Sequence, residues 1–357
     1  MPSASQCVIG VDLGGTKTAA GIVDATGTVH AVESRPTPAA AGAAAILATA
    51  VGLVTALLAQ ARAAGLDPVA VGIGSAGVID ARDGSVVSAT DSLTGWAGTP
   101  LAAHVAEQSG LPAYAVNDVH AHNLGEHWRG ASAGADSSLL VAVGTGVGGS
   151  LILDGGPHLG ARAVAGHVGH LASPFAYDDG GRPLPCSCGR AGHVEAIASG
   201  PSIAALYRRL VDGETAGGET VGGETVGGEP AGGEPAGGDA IAGSVTGREV
   251  AEMAGAGDPL ALRALTTGAT AAGQAVGGLA NMLDPSVVVV GGGVAGAGDL
   301  WWTPFRAALR AELMDPLADL PVVPADLGSS AAIVGAAKFA FDRLSAELNA
   351  SQEHHHV

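Results

Sequence analysis

Four side chains that can bind a metal ion lie close together near the middle of the sequence. Cys186 and Cys188 are separated by one residue, His193 follows them and His170 precedes them. Two thiolates and two imidazoles form a complete tetrahedral ligand set for zinc, which leaves no open position for chemistry. The spacing therefore predicts a structural zinc ion. The alternative is a pair of buried free cysteines beside unrelated histidines.

Two glycine-rich turns are candidates for binding phosphate. Residues 12–17 read Asp-Leu-Gly-Gly-Thr-Lys, and residues 144–149 read Gly-Thr-Gly-Val-Gly-Gly. Neither is a dinucleotide fingerprint or a Walker loop, because a strand rather than a helix follows the second turn and Thr16 replaces a Walker glycine. Backbone N–H groups in such turns can hold phosphate oxygens. Each turn alone is compatible with an ordinary hairpin, but the pair, with Asp12 opening the first, favours a nucleotide site.

A carboxylate follows one of the predicted strands. Asp118 comes directly after Asn117 and the apolar segment 113–116, so it is expected at the end of a strand that faces a cleft. There it could act as a general base. It could equally cap the helix that begins at Val119, which is the more common use of Asp at such a junction.

The elements that must position these residues form two similar halves. Each half begins with a strand, a glycine turn and a second strand, which predicts two related α/β lobes with a ligand-binding cleft between them. Strands are predicted over 7–13, 20–23, 29–32, 69–73, 113–116, 138–143, 150–153 and 287–290, and helices over 101–109, 248–254, 260–283 and 331–348. The uncharged segment 36–61 has one apolar face, which favours a buried or half-buried helix over a membrane span.

Composition and charge exclude several classes of partner. The 357 residues are enough for two domains and carry a net charge of −18, which repels nucleic acid and anionic lipid. Neither a nucleic-acid partner nor a membrane is expected. Three cysteines and no recognisable signal peptide indicate a reducing, cytoplasmic location. Residues 213–238 are Gly- and Glu-rich repeats that predict a flexible surface insertion.

Taken together, these motifs resemble the ROK sugar kinases, which belong to the actin-like ATPase superfamily. The resemblance spans nearly the whole chain and rests on residues 12–17, 117–118, 144–149, 169–170, 186–195 and 290–293. It implies two ribonuclease-H-like lobes around a central cleft, and ATP with Mg²⁺ as cofactors. The residues that it places at the ATP phosphates are Asp12, Gly14, Gly15, Thr16, Lys17, Gly144, Thr145 and Gly146, and Gly292 is placed near the adenosine.

The same resemblance assigns residues to the sugar. It implies that Asp118 is the general base for the sugar 6-hydroxyl and that Asn117 hydrogen-bonds a neighbouring hydroxyl. It also implies that Glu195 enters the sugar pocket from the zinc loop and that His170 touches both the sugar and the zinc. The implied lobes are residues 1–117 with the helix 331–348, and residues 118–330 with the zinc loop 170–195. The implied assembly is a homodimer or a higher homo-oligomer.

Three positions depart from the usual family pattern. His193 replaces a zinc-binding cysteine, His167 replaces a sugar-binding glutamate, and Ser92 replaces an asparagine. The change to His167 is shared with some bacterial N-acetylmannosamine kinases, and both pocket changes could suit a 2-acetamido group. N-Acetylmannosamine is therefore the leading substrate, ahead of glucose and N-acetylglucosamine. A catalytically silent sugar sensor and a ROK-type transcriptional regulator are the alternatives from other classes.

Overall fold

The fold is that of a computed structural model of the chain, which describes residues 5–90, 93–217 and 245–354. Ser92 and residues 218–238 of the predicted insertion lie outside these ranges. All element bounds below refer to the described part of the chain.

The first half of the chain forms a mixed five-stranded sheet and a small hairpin. The strands are β1 (Gln6–Leu13), β2 (Lys17–Asp24), β3 (Val29–Pro36), β4 (Asp67–Ser75), the hairpin β5 (Val78–Asp80) and β6 (Ser85–Ser88), and β7 (Ala113–Asn117). The order in the sheet is β3-β2-β1-β4-β7. β1, β2 and β3 are antiparallel, whereas β4 and β7 run parallel to β1. Parallel strands end at one edge, so Asp12 and Asp118 are brought to the same edge of the sheet.

Helices α1 (Ala43–Ala63) and α2 (Leu101–Ser109) cover one face of this sheet. By length and composition α1 could cross a membrane. In the fold, however, its larger apolar residues Ile46, Leu53 and Leu57 are fully buried against the sheet. Each such side chain contributes about 1.5–3 kcal/mol when it leaves water. The structure thus has the half-buried helix that the sequence predicts.

The second half of the chain repeats the plan of the first. Its strands are β8 (Ser138–Val143), β9 (Val147–Leu153), β10 (Gly156–Pro157), β11 (Val288–Gly291) and β12 (Val322–Pro324). They form a five-stranded sheet in the order β10-β9-β8-β11-β12, again with an antiparallel meander followed by parallel strands. The two halves are therefore related lobes, which we call the N-terminal and C-terminal lobes after these two sheets.

The remaining helices lie on the C-terminal lobe and between the lobes. They are α3 (Asp118–Arg129), α4 (Glu195–Ala198), α5 (Gly200–Gly217), α6 (Gly247–Gly255), α7 (Pro259–Leu283), α8 (Asp299–Glu312) and α9 (Ala331–His354). α4 to α8 pack around the second sheet. α9 returns to the first sheet, where Gly10 and Gly72 leave room for its backbone: a Cβ at either glycine would lie 2.2 Å or less from a carbonyl oxygen of α9. These contacts support the predicted return of the last helix to the first lobe.

Several predicted boundaries were wrong. β2 begins at Lys17 rather than at residue 20, and β9 begins at Val147 rather than at residue 150. Both glycine turns are therefore short, because the ladders continue down to the pairs Leu13–Thr18 and Val143–Val147. α9 extends six residues beyond the predicted end at residue 348. The sequence analysis also did not predict α8, β10 or β12.

Candidate active site

Two acidic side chains meet at the edge of the first sheet. Asp12 lies on β1 opposite Gly74 of the neighbouring strand β4. Gly74 also pairs with Val116 of β7, two residues before Asp118. Burial and the charge of Asp118 raise the pKa of Asp12 to about 7, against the opposing effect of Lys17. Burial also raises the pKa of Asp118. Neighbouring half-buried carboxylates with raised pKa values are a common feature of binding sites for cations and of acid–base chemistry.

Asn117, not Asp118, caps helix α3. The Asn117 Oδ1 accepts hydrogen bonds from the backbone N–H groups of Val119 (2.9 Å) and His120 (3.4 Å). Its Nδ2 donates to the carbonyl of Gly77 (3.0 Å) and to the Asp118 carboxylate (2.8 Å). The alternative that Asp118 is the helix cap is thereby set aside. Asp118 is the first residue of the helix, and Asn117 holds its carboxylate in place.

The first glycine turn is open at its tip. Gly14 donates its N–H to the Lys17 carbonyl (3.1 Å), and the Thr37 hydroxyl donates to the Gly14 carbonyl (2.8 Å). A Cβ at Gly15 would meet nothing within 4 Å, and Thr16 and Lys17 are exposed. The turn is thus anchored at its base and accessible from solvent, as a phosphate-binding turn must be.

The second turn borders a cavity with a volume of about 1020 Å³. Gly144 and Thr145 line one side of it, and Gly293 and Val294 line another. The cavity wall is completed by α5 and α6, including Arg208 and Arg248, whose side chains are exposed. The residues of the first turn do not line this cavity.

Gly292 lies beside the cavity and not in its wall. It has φ +91°, and a Cβ there would lie 2.2 Å from the Val143 carbonyl oxygen. Only glycine fits such a position without strain. Its function in the fold is to let the segment after β11 approach the start of the second turn, which places Gly293 in the cavity wall.

The four predicted metal ligands come together. The donor atoms of His170, Cys186, Cys188 and His193 all lie within 4.8 Å of one another. His170 Nδ1 is 3.6 Å from Cys186 Sγ, and His193 Nδ1 is 3.3 Å from Cys188 Sγ. Zinc–sulfur and zinc–nitrogen bonds of about 2.3 and 2.0–2.1 Å at a tetrahedral angle imply a separation of about 3.5 Å. The cluster therefore has the donor types and the spacing of a closed zinc site.

Glu195 joins the zinc loop to the second glycine turn. One carboxylate oxygen accepts a hydrogen bond from the Val147 N–H (2.9 Å), and the other accepts from the Ser187 hydroxyl. A Cβ at Gly146 would lie 2.7 Å from Glu195 Oε2, so a residue with a side chain would displace the carboxylate. The segment 186–195 thereby holds Glu195 against the second glycine turn.

His167 lies near the four candidate metal ligands. Its Nδ1 is 3.1 Å from the Val164 carbonyl oxygen, and its ring centre is 6.0 Å from that of His170. A Cβ at Gly166 would lie 3.3 Å from His120 Cε1, so the segment that carries His167 lies beside the start of α3. Asp118, His167, His170 and Glu195 are therefore brought to one region from both lobes, whereas Ser92 lies outside the described residues.

Sequence reasoning did not identify a buried polar network behind this region. His120 Nδ1 lies 2.9 Å from the Ser150 hydroxyl, and Asn123 Nδ2 donates to the Ser150 carbonyl (2.8 Å). Burial lowers the pKa of His120 to about 4, so the ring is neutral at physiological pH. Polar residues on a helix usually indicate a face that is exposed to solvent. Only the structure shows that His120 and Asn123 lie on the face of α3 that hydrogen-bonds to the second sheet.

Comparison with known proteins identifies the family. Residues 8–343 match the ROK family. The chain belongs to this family. The glucokinase of Halalkalibacterium halodurans is 31% identical over 328 residues, which is 92% of each chain. A crystal structure of a ROK family glucokinase from Streptomyces griseus in complex with glucose and AMPPNP is 32% identical, has a TM-score of 0.73, and matches over 94% of this chain and 99% of that one.

The ROK relatives include kinases of more than one sugar. The N-acetylmannosamine kinase of Escherichia fergusonii is 36% identical over 211 residues, which is 58% of this chain and 65% of the relative. The resemblance deduced from the motifs is thus confirmed, and so is the two-lobed fold of the actin-like ATPases. This ROK protein is an ATP-dependent sugar kinase.

Proposed function

We propose that this ROK kinase transfers the γ-phosphoryl group of ATP to the 6-hydroxyl of a hexose or N-acetylhexosamine, and that N-acetylmannosamine is its preferred substrate. One observation carries the proposal: Asp118 follows β7 at the edge of the first sheet, and the segment that carries His167 lies beside the start of α3, where a Cβ at Gly166 would be 3.3 Å from His120 Cε1. A sugar held there lies next to the two phosphate-binding turns.

Asp118 is the general base in this proposal. Burial disfavours its ionised form, so the carboxylate has a strong tendency to take a proton from the attacking hydroxyl. Asn117 donates a hydrogen bond to the same carboxylate and fixes its direction (2.8 Å). All four hydrogen-bonding positions of the Asn117 amide are used within the protein, so we assign Asn117 primarily the role of positioning Asp118. For Asn117 to contact a sugar hydroxyl as predicted, one of these four hydrogen bonds would have to be broken.

The nucleotide binds across both turns. We assign the phosphates to Gly14, Gly15, Thr16 and Lys17 on one lobe, and to Gly144, Thr145 and Gly146 on the other. The adenosine is assigned to the cavity of about 1020 Å³ beside Gly293, with Gly292 shaping that segment. Asp12 is the carboxylate that would hold Mg²⁺, since burial and the charge of Asp118 raise its pKa more than the charge of Lys17 lowers it, and a bound cation would offset that rise. When bound, Mg²⁺ neutralises charge on the phosphates.

The sugar lies between Asp118 and the zinc loop. We assign His167, His170 and Glu195 to its hydroxyl and 2-substituent groups, and we retain Ser92 as a further contact on the basis of the motif alone. A neutral imidazole at residue 167 offers one donor and one acceptor where a glutamate would offer only acceptors. An acetamido group also has one donor and one acceptor, which supports an N-acetylated substrate.

The zinc ion has a structural role in this proposal. His170, Cys186, Cys188 and His193 close its shell, and the loop that they form carries Glu195. We further propose the lobe boundaries given above, a homodimer or higher homo-oligomer, and a cytoplasmic location, in agreement with the intracellular supply of ATP.

Glucose is the second candidate, because glucokinases match this chain over more than nine-tenths of its length. The deciding experiment is a coupled assay of ADP release with glucose, mannose, N-acetylglucosamine and N-acetylmannosamine, followed by ³¹P and ¹³C NMR of the product. The proposal expects the highest kcat/KM for N-acetylmannosamine and a phosphate on carbon 6. A higher kcat/KM for glucose than for N-acetylmannosamine would show that the protein is a glucokinase. Phosphorylation of a carbon other than carbon 6 would refute the proposed position of Asp118.

A further inference from the structure

A single buried carboxylate connects both segments through which the chain passes between the lobes. The first crossing runs from β7 through α3 and the following turn to β8. The second runs from β12 through residues 325–330 to α9. Glu126 lies in the last turn of α3, has no solvent exposure, and hydrogen-bonds to the backbone of both crossings.

The hydrogen bonds of Glu126 are short and all go to the backbone. Its Oε2 accepts from the N–H of Ala131 at 2.8 Å, within the first crossing. Both oxygens are 3.0–3.1 Å from the N–H of Asp326, and Oε1 accepts from the N–H of Leu327 at 2.9 Å, within the second crossing. All of these donors are backbone N–H groups, which cannot change partner by rotating a side chain. The carboxylate therefore fixes the positions of the two crossings relative to each other.

The two crossing helices touch directly above this carboxylate. A Cβ at Gly125 would lie 2.1 Å from the Ala331 carbonyl oxygen, and a Cβ at Gly335 would lie 1.6 Å from the Ala121 carbonyl oxygen. The backbones of α3 and α9 are therefore in contact at a point where no larger residue fits. Such a contact limits sliding but leaves a rotation about the contact point.

Around this contact the two helices link the sheets, and α3 also packs on the first sheet through Ala121 and Leu124. α3 is bound to the second sheet through Asn123, whose Nδ2 donates to the Ser150 carbonyl at 2.8 Å. α9 lies on the first sheet, where Gly10 and Gly72 admit its backbone. The arrangement of α3 and α9 therefore affects how the two sheets lie relative to each other.

We infer that Glu126 is a positioning residue of the interlobe hinge, which sets the angle at which the two halves of the active site meet. It touches neither the sugar nor the nucleotide site. Its effect on the reaction arises because the first glycine turn belongs to one lobe, whereas His167, Glu195 and the second glycine turn belong to the other. Loosening the hinge lowers the population of the closed, binding-competent arrangement.

The test replaces the carboxylate with its amide. In Glu126→Gln the side-chain NH₂ must face a backbone N–H donor, so at least one hydrogen bond is lost without a change in size. Because apparent affinity scales with the closed population, the KM values for the sugar and for ATP should rise together by a similar factor, of about tenfold. Glu107→Gln, an exposed residue of α2, is the matched control and should have wild-type constants. Glu126→Asp keeps the charge and should give an intermediate result.

Small-angle X-ray scattering provides a readout that a purely structural role would not change. With saturating sugar and AMPPNP, the wild type should contract, and Glu126→Gln should contract less at the same ligand occupancy while retaining its zinc. Equal contraction and unchanged KM values, with only a lower melting temperature, would overturn the inference. If Glu126→Gln does not fold, the same two outcomes are judged on Glu126→Asp. The choice of sugar does not enter the test, so a failure of the proposed substrate assignment would be recognised separately.

Discussion

Asp12 and Asp118 approach each other from the ends of two parallel strands, close enough that the charge of Asp118 helps to raise the pKa of Asp12 to about 7. Burial makes the larger contribution. In the absence of a cation, this arrangement disfavours the ionised pair at neutral pH. The site is therefore adapted to a ligand that brings positive charge, as a metal–nucleotide complex does.

This relationship predicts that Asp12 destabilises the ligand-free fold at high pH. Its pKa is higher in the folded chain than the ordinary 3.8, so its contribution to stability is greatest below pH 3.8 and is lost as the pH rises through about 7. Asp12→Asn should abolish activity yet raise the free energy of unfolding at pH 8 by about 2–4 kcal/mol, an upper range derived from about three pKa units. Urea denaturation at pH 5 and pH 8 measures this effect. A variant less stable than the wild type at pH 8 would contradict it.

The same pKa shifts predict an acid limb in the activity profile. Asp118 must be ionised to accept the proton, and Asp12 must be ionised to hold the cation. Because both pKa values are raised, kcat/KM should fall as the pH decreases from neutrality, well above the range of an ordinary carboxylate. The profile should be measured at saturating Mg²⁺ with a coupling system checked at each pH. Constant kcat/KM down to pH 5 would show that neither group is protonated in the free enzyme.

The metal cluster predicts about one zinc ion per chain. Cys188→Ser should lose the ion and most of the activity, because the loop that carries Glu195 would no longer be held against Val147. Cys7→Ser, at the cysteine outside the cluster, should retain the zinc. Elemental analysis of both variants and of the wild type gives the comparison. Full activity in zinc-free protein would contradict a role of the metal in shaping the pocket.

Replacing His167 with glutamate should change which sugar the enzyme prefers. His167→Glu restores the acceptor-only edge of the usual family pattern, and a mismatched buried hydrogen bond costs about 1–3 kcal/mol. The ratio of kcat/KM for glucose to that for N-acetylmannosamine should therefore rise by about tenfold or more. His104→Glu, on α2 away from the site, should leave the ratio unchanged. If His167→Glu still binds zinc and has the same ratio of kcat/KM values as the wild type, residue 167 only fills space in the pocket.

The sequence predicted the clustering of the four candidate metal ligands better than it predicted the ends of the strands. The clustering of His170, Cys186, Cys188 and His193 followed from donor types and spacing, because a metal loop is local in sequence. Strand ends at Lys17 and Val147 were misplaced, since glycine and small residues weaken the pattern of strand propensity even where the ladder continues. The family assignment came from motif order rather than from any single motif.

Other features could not have been read from the sequence. Helix α8 buries Trp301, Phe305 and Leu309 along one face, but Pro304 within it is typical of a break. Glu126 looks like an ordinary polar residue near a helix end, and its importance depends on the backbone of residues 326–327, about 200 positions away. Contacts of this kind are set by tertiary packing, which local propensity does not encode.

The most direct test of the account is the rate of γ-phosphoryl transfer to N-acetylmannosamine in Asp118→Asn. The amide keeps the size of the side chain but cannot accept the proton, so the rate should fall by about 10²–10⁴-fold. Sugar affinity by calorimetry and the free energy of unfolding should stay close to wild type, and Asp136→Asn, at an exposed loop residue, should be fully active. A rapid-quench measurement with labelled ATP would settle the matter: a rate near that of the wild type would show that Asp118 is not the base and would contradict the mechanism.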